Sequence, residues 1–276
     1  MISLRHNKHL LFGGMGFLGG AIGAIVAELV PMSGAGRSVM RLVGGVAVWG
    51  AVFSSGILLG LTWALEVYAG HKRPSGMKMR DALVSGLLAG AIAAGIAQAV
   101  FMARQFTGYG GIFFQSGCWG LAGAILGWRL SRAIPNLGAG RAALAGLIGG
   151  TVGGMGFIVM SALFTEVIGR ALGIGTLGAA LGLAMVIVEA LCREASLEVI
   201  WGPKEITFTS LGPRPISIGG GDDNVYVHSL PPRYVTVQLI DGKIYYTDGV
   251  TGRKSELHDG NHIKIGKYEM IIHGKP

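Results

Sequence analysis

The chain has 276 residues, of which 51% are hydrophobic and 14% charged, with a mean hydropathy of +0.55 and a formal net charge of +8. Soluble domains carry roughly 25% charged residues, so this composition excludes an ordinary water-soluble globule. The 49 glycines follow no Gly-x-y period, which excludes collagen, and two cysteines, Cys118 and Cys192, both in apolar runs, are too few for a disulfide framework.

Six apolar runs follow one another at 10–30, 42–65, 82–103, 110–128, 142–165 and 171–192. Each is close to the ~20 residues that cross a bilayer as a helix. Backbone groups in lipid must be satisfied within the segment, so the expected fold here is a polytopic α-helical membrane bundle of six transmembrane helices over 1–200. Every run carries glycines spaced i,i+4, among them Gly16/Gly20, Gly123/Gly127 and Gly150/Gly154. That spacing lines small residues along one face and predicts close helix packing, within the chain and in a homo-oligomer.

The excess charge lies between the apolar runs: residues 1–200 hold 14 Lys/Arg against 7 Asp/Glu, and residues 201–276 hold 9 against 8. A nucleic-acid surface would cluster its basic residues on a polar domain, so no nucleic-acid partner is expected. Arg5, Lys8, Lys72, Arg73, Lys78, Arg80, Arg129, Arg132 and Arg141 fall on one side of the six spans, and Arg37, Arg41, Arg104 and Arg170 on the other. The positive-inside rule then places both termini in the cytoplasm of a bacterial-type inner membrane.

The words PMSGAGR at 31–37 and PNLGAGR at 135–141 are nearly the same. Aligning them puts Gly16, Gly19 and Gly23 on Gly120, Gly123 and Gly127, and Glu66-Val67 on Glu166-Val167 after a small gap. Neither copy follows a strand, as a dinucleotide fingerprint requires. The joint instead belongs to a duplication of about three helices, with repeats at about 10–103 and 110–200. An odd number of helices per copy inverts the second copy, a plan used by transporters.

The apolar runs contain Glu28, Glu66, Glu166 and Glu189. The first three lie near run ends, where the membrane interface accommodates them. Glu189 follows AMVIV and needs a partner or a cavity, and Arg193 stands at i,i+4 to provide a salt bridge. The sixth helix is expected to continue beyond the membrane as CREASLEVIWG.

After Trp201 the texture changes to short β-branched and aromatic stretches, ITFTS, PISIG, NVYVH, YVTVQLI, KIYYTD, HIKIG and YEMIIH, separated by Gly, Pro, Asp and Asn. Such spacing predicts a small all-β sandwich over 202–276. Asp222-Asp223-Asn224 is expected to form a turn, and His258 and His262 lack companions for a zinc site, so no metal and no cofactor are expected.

The order ISIGGGDDNVYV, HSLPPRYVTVQL, DGKIYYTD and LHDGNHIKIGKYEMIIH resembles a forkhead-associated (FHA) domain over roughly 205–273. Leu257, Asp259-Gly260, Ile263 and Ile265-Gly266 match that family's L-x-D-G-D-x-I-x-I-G stretch, with Asn261 replacing its second Asp. The resemblance implies a β-sandwich that binds phosphothreonine peptides through loops at one end. Gly220 stands where the family has an arginine, and the family's histidine after Ser-Arg is absent. This leaves Ser229, Arg233 and the Asp248–Gly252 loop with Thr251 as phosphopeptide- or partner-binding candidates. No nucleophile–base pair or Walker loop occurs, so no enzyme activity is expected. The expected function is a membrane scaffold or signalling adaptor that presents this domain to a cytoplasmic protein, phosphorylated or not. The alternative is a transporter or channel for an ion or small solute.

Overall fold

The computed structural model describes residues 7–30, 38–104, 108–203, 205–266 and 268–274. Six helices come first: α1 (Lys8–Glu28), α2 (Val39–Tyr68), α3 (Gly76–Arg104), α4 (Gly108–Leu130), α5 (Ala139–Leu163) and α6 (Glu166–Leu191). Five of them, all but α4, are long and apolar enough to cross a membrane. Gln115, Ser116 and many glycines dilute the apolar content of α4.

Around the bundle the helices run in the order α3, α2, α1, α6, α5, α4, with α3 and α4 in sparser contact than the other neighbours. Glycine sets the close approaches. A Cβ built on Gly16 would lie 2.2 Å from the Gly178 carbonyl oxygen of α6, and one on Gly19 would lie 2.3 Å from that of Gly56 on α2. Gly123 repeats the relationship against Gly146 on α5, at 2.2 Å. Gly20 meets Ile174, Gly127 meets Ala142, and Gly150 and Gly154 both meet Trp119, so the expected packing glycines all serve contacts within this chain. The first copy of the repeated Pro-x-x-Gly-Ala-Gly-Arg, with Arg37, lies outside the described residues, as does Arg5. In the second copy Pro135–Leu137 turn the chain, Gly138 takes φ 78° at the N-cap, and Arg141 falls in the first turn of α5.

The expected extension of the sixth helix is not formed. α6 stops at Leu191, and residues 195–202 are a strand, β1 (Ala195–Gly202). Alternation decides it: Leu197 and Val199 are both fully buried on one face, and the strand is hydrogen-bonded along both edges. The β domain therefore begins at Ala195, earlier than residue 202. It continues with β2 (Glu205–Leu211), β3 (Ile216–Gly219), β4 (Val225–Tyr226), β5 (Val235–Ile240), β6 (Lys243–Asp248), β7 (Lys254–Leu257), β8 (His262–Ile265) and β9 (Tyr268–His273). One sheet has the order β2-β1-β9-β8 and the other β4-β3-β5-β6-β7, antiparallel except for the β3–β4 pair. Leu197, Val199, Met270 and Ile272 from the first sheet share one apolar core with Ile216, Ile218, Val235 and Val237 from the second.

Six antiparallel helices return the chain to the end where it began, so the N-terminus of α1, the α2–α3 and α4–α5 connections and the end of α6 all lie beside the β domain. The Tyr226 amide donates to the Ala69 carbonyl at 2.9 Å. Gly70 takes φ 101°, and a Cβ there would lie 3.0 Å from the Trp201 ring and 3.1 Å from the Tyr226 carbonyl oxygen, so both backbone and space require glycine.

Candidate functional site

Glu189 is 4% exposed near the end of α6 and is surrounded by donors. Lys8 Nζ donates to its Oε2 at 2.8 Å. Arg193 Nη2 reaches Oε1 at 3.1 Å and Oε2 at 3.0 Å. Ser210 Oγ, from the β2 strand, donates to Oε1, and Arg193 Nε reaches Ser210 Oγ at 3.3 Å. Aromatic rings close the site: Lys8 Nζ stands 4.8 Å from the centre of the Tyr68 ring, and the Arg193 guanidinium 5.7 Å from that of Phe208. Tyr68 Oη in turn accepts from the Phe208 amide at 2.8 Å. A carboxylate with this many charge-assisted partners is a fixed joint between bundle and β domain. The salt bridge to Arg193 was expected; Lys8, Tyr68 and Ser210 were not, because their partnership spans up to 181 residues of sequence.

A second joint forms at the α2–α3 connection. Glu66 is buried near the end of α2, and Lys78 Nζ donates to its Oε1 at 2.8 Å. His71 Nε2 lies 3.1 Å from the Gly221 carbonyl oxygen, which makes that nitrogen the donor. Its Nδ1 faces Glu66 Oε2 at 3.6 Å, and its ring stacks on Tyr226 at 4.8 Å. A third contact uses Asn136, whose Nδ2 donates to the Ser210 and Arg214 carbonyls at 3.0 and 3.1 Å while its Oδ1 accepts from the Arg214 amide at 2.9 Å.

The remaining acidic candidates lie at the opposite end. Arg170 forks onto Glu28 through Nε at 2.6 Å and Nη2 at 2.9 Å. Glu166 is largely exposed, 3.8 Å from Arg170. The structure therefore does not bring the four glutamates into one site.

Ser229, Arg233 and Thr251 are all exposed. Arg233 takes φ 53°, and its amide donates to Asp223 Oδ2 at 2.7 Å. The Gly249 amide donates to the Tyr234 carbonyl at 2.9 Å, which sets the Asp248–Gly252 turn against the Arg233 backbone. Asp248 Oδ1 accepts from the Val250 and Thr251 amides at 2.7 and 2.9 Å. These bonds, that of Thr251 foremost, hold its carboxyl below the usual carboxylate range. Arg233 and Thr251 thus share one end of the domain, and Gly221, on the loop that carries Asp223, is the residue that His71 grips. This end offers exposed arginines, Arg233 and, in the Asp248 turn, Arg253, together with the hydroxyl groups of Ser229 and Thr251. Among the described residues no group of His, Cys, Asp and Glu is arranged to hold a metal ion.

Comparison with family models, curated proteins and solved structures finds no match to this chain.

Proposed function

We propose that the protein is an integral-membrane adaptor, in which the helical bundle anchors a degenerate FHA-like module that engages a cytoplasmic protein through Ser229, Arg233 and Thr251. The observation that carries this reading is the linkage from the bundle to the recognition end: His71 bonds to Gly221, and Asp223 on the same loop bonds to the Arg233 amide. The module's partner surface is thereby referred to the membrane instead of swinging on a linker.

Orientation is supported by charge. Among the described residues Lys8, Lys72, Arg73, Lys78, Arg80, Arg129, Arg132 and Arg141 lie towards the β-domain end, and Arg41, Arg104 and Arg170 towards the other. Positive-inside bias then favours a cytoplasmic β domain. The duplicated plan is supported by two matching hairpins, Gly19 and Gly23 against α2 and Gly123 and Gly127 against α5. Transport has weaker support. Glu189 is committed to Lys8, Arg193 and Ser210, and the space enclosed by Phe53, Trp119 and Leu181 is about 10 Å³.

The test is a quantitative pulldown with full-length protein in detergent, wild type against R233A/T251A. A protein captured by the wild type and lost from the variant supports the adaptor. Identical capture by both, or none, removes it. Phosphatase treatment of the input shows whether phosphothreonine is read.

A further inference from the structure

Where α3 and α4 face each other, the packing that unites the rest of the bundle fails. α3 turns Gly86 and Gly90 towards Ser55 and Gly50 of α2, and α4 turns Gly123 and Gly127 towards α5. The faces left for each other carry larger side chains. Phe101 and Phe114 meet at one end, with ring centres 6.2 Å apart. At the other end Arg129 Nη2 donates to Ser85 Oγ. Between these contacts lies a groove of about 490 Å³, lined by Ala93, Ala97, Val100, Phe114, Leu121 and Trp128 among others.

Two features identify its occupant. The first is size. On α4 the lining runs from Phe114 to Trp128, about 21 Å at 1.5 Å per residue. A helix is about 10–12 Å across with its side chains, and over that length it would need several times the volume present. A hydrocarbon chain fits where a helix does not. The second is charge. The Arg129 and Arg132 guanidinium groups stand 5.9 and 5.4 Å from the centre of the Trp128 ring, at the end of the groove. Lys8, Lys78, Arg141, Arg170 and Arg193 each have a carboxylate within 4 Å. Among the described residues Arg129 and Arg132 have none; Lys72 and Arg73 at the same end of the bundle have none either, and it is the two arginines that stand beside Trp128 at the groove. Two uncompensated guanidinium groups beside an interfacial tryptophan form a headgroup pocket.

We propose that the α3–α4 groove binds one anionic phospholipid, with an acyl chain against Ala93, Ala97 and Leu121 and its phosphate at Arg129 and Arg132. The lipid completes the weakest seam of the bundle.

Native mass spectrometry of delipidated full-length protein tests this, with phosphatidylglycerol and phosphatidylcholine of the same acyl chains as probes. Wild type is expected to retain one phosphatidylglycerol about twenty-five-fold more tightly than phosphatidylcholine, since each of the two basic side chains contributes about a factor of five at an anionic headgroup. R129Q/R132Q should erase that preference, and A97W should remove the retained lipid. Equal retention of both lipids by wild type, or a preference that survives R129Q/R132Q, overturns the proposal. So does a lipid-independent dimer that A97W dissociates, which would put a second copy in the groove. If A97W does not fold, the arginine variant decides alone, because both arginines lie outside the packed core.

Discussion

Lys8, in the first turn of α1, and Glu189, in the last turn of α6, form a 2.8 Å ion pair between the two ends of the helical sequence. Removing the carboxylate strands Lys8 and Arg193 in a buried setting, whereas removing Lys8 leaves Glu189 with Arg193 and Ser210. Breaking a buried pair from one side costs about 3–5 kcal/mol. E189A should therefore lose about that much stability, with K8M losing clearly less. Chemical unfolding in detergent, followed by tryptophan fluorescence, measures both. An E189A transition that overlays the wild type would show that the joint carries no structural load.

The α1–α6 seam predicts an asymmetric pair of glycine substitutions. A methyl on Gly16 would overlap the Gly178 carbonyl, which is backbone and cannot rotate away, and would press on the Leu61 side chain. G16A should cost about 1–3 kcal/mol, as overpacking does. Gly14, two residues earlier, has nothing within 4 Å of its would-be Cβ. G14A should be neutral or gain up to about 1 kcal/mol from helix propensity. Equal effects in the same unfolding assay would contradict the packing described.

How much of this was legible in the sequence depended on range. Apolar runs and i,i+4 glycines are local signals, and the helices formed close to where they lie. Residues 195–202 misled because Arg193, Glu194 and Glu198 have helical spacing; what makes the segment a strand is the pair of edges offered by β2 and β9, and the β9 partner is some 70 residues away. β7 left little apolar trace, since Lys254, Ser255 and Glu256 are exposed on a sheet edge. Glu189 was recognisable as a buried charge, but two of its donors come from the first helix and the second strand. His71 carried no signal at all: a lone histidine in a loop acquires its role only when Gly221 and Tyr226 arrive beside it.

The Asp248 turn predicts a response to acid. Backbone amides from Thr251 and Val250 favour the ionised carboxylate, so its folded pKa lies below the unfolded one. Its contribution to stability is present above the unfolded value and disappears as pH falls through the folded value. The turn holding Thr251 should loosen only in strongly acidic solution, and D248A, which removes the acceptor altogether, should loosen it already at neutral pH. The Thr251 amide resonance of threonine-labelled full-length protein reports this directly. A turn that loosens near neutral pH would mean that another group controls it.

His71 predicts local opening of the end of the β domain that carries Arg233. H71A removes a hydrogen bond of about 1 kcal/mol and a ring stack of about 0.5–1.5 kcal/mol. The Ala69–Tyr226 backbone bond and the Asn136 contact remain. The loop at 219–223 should therefore open about tenfold more often or more, while strand β2 near Ser210 keeps its protection. Hydrogen–deuterium exchange of full-length protein in detergent resolves the two regions separately. Faster exchange confined to 219–227, together with weaker partner capture by H71A, would tie the histidine to presentation of Arg233. Faster exchange throughout the β domain would instead make His71 a support of the whole domain, and unchanged exchange would leave the His71–Gly221 contact without mechanical consequence.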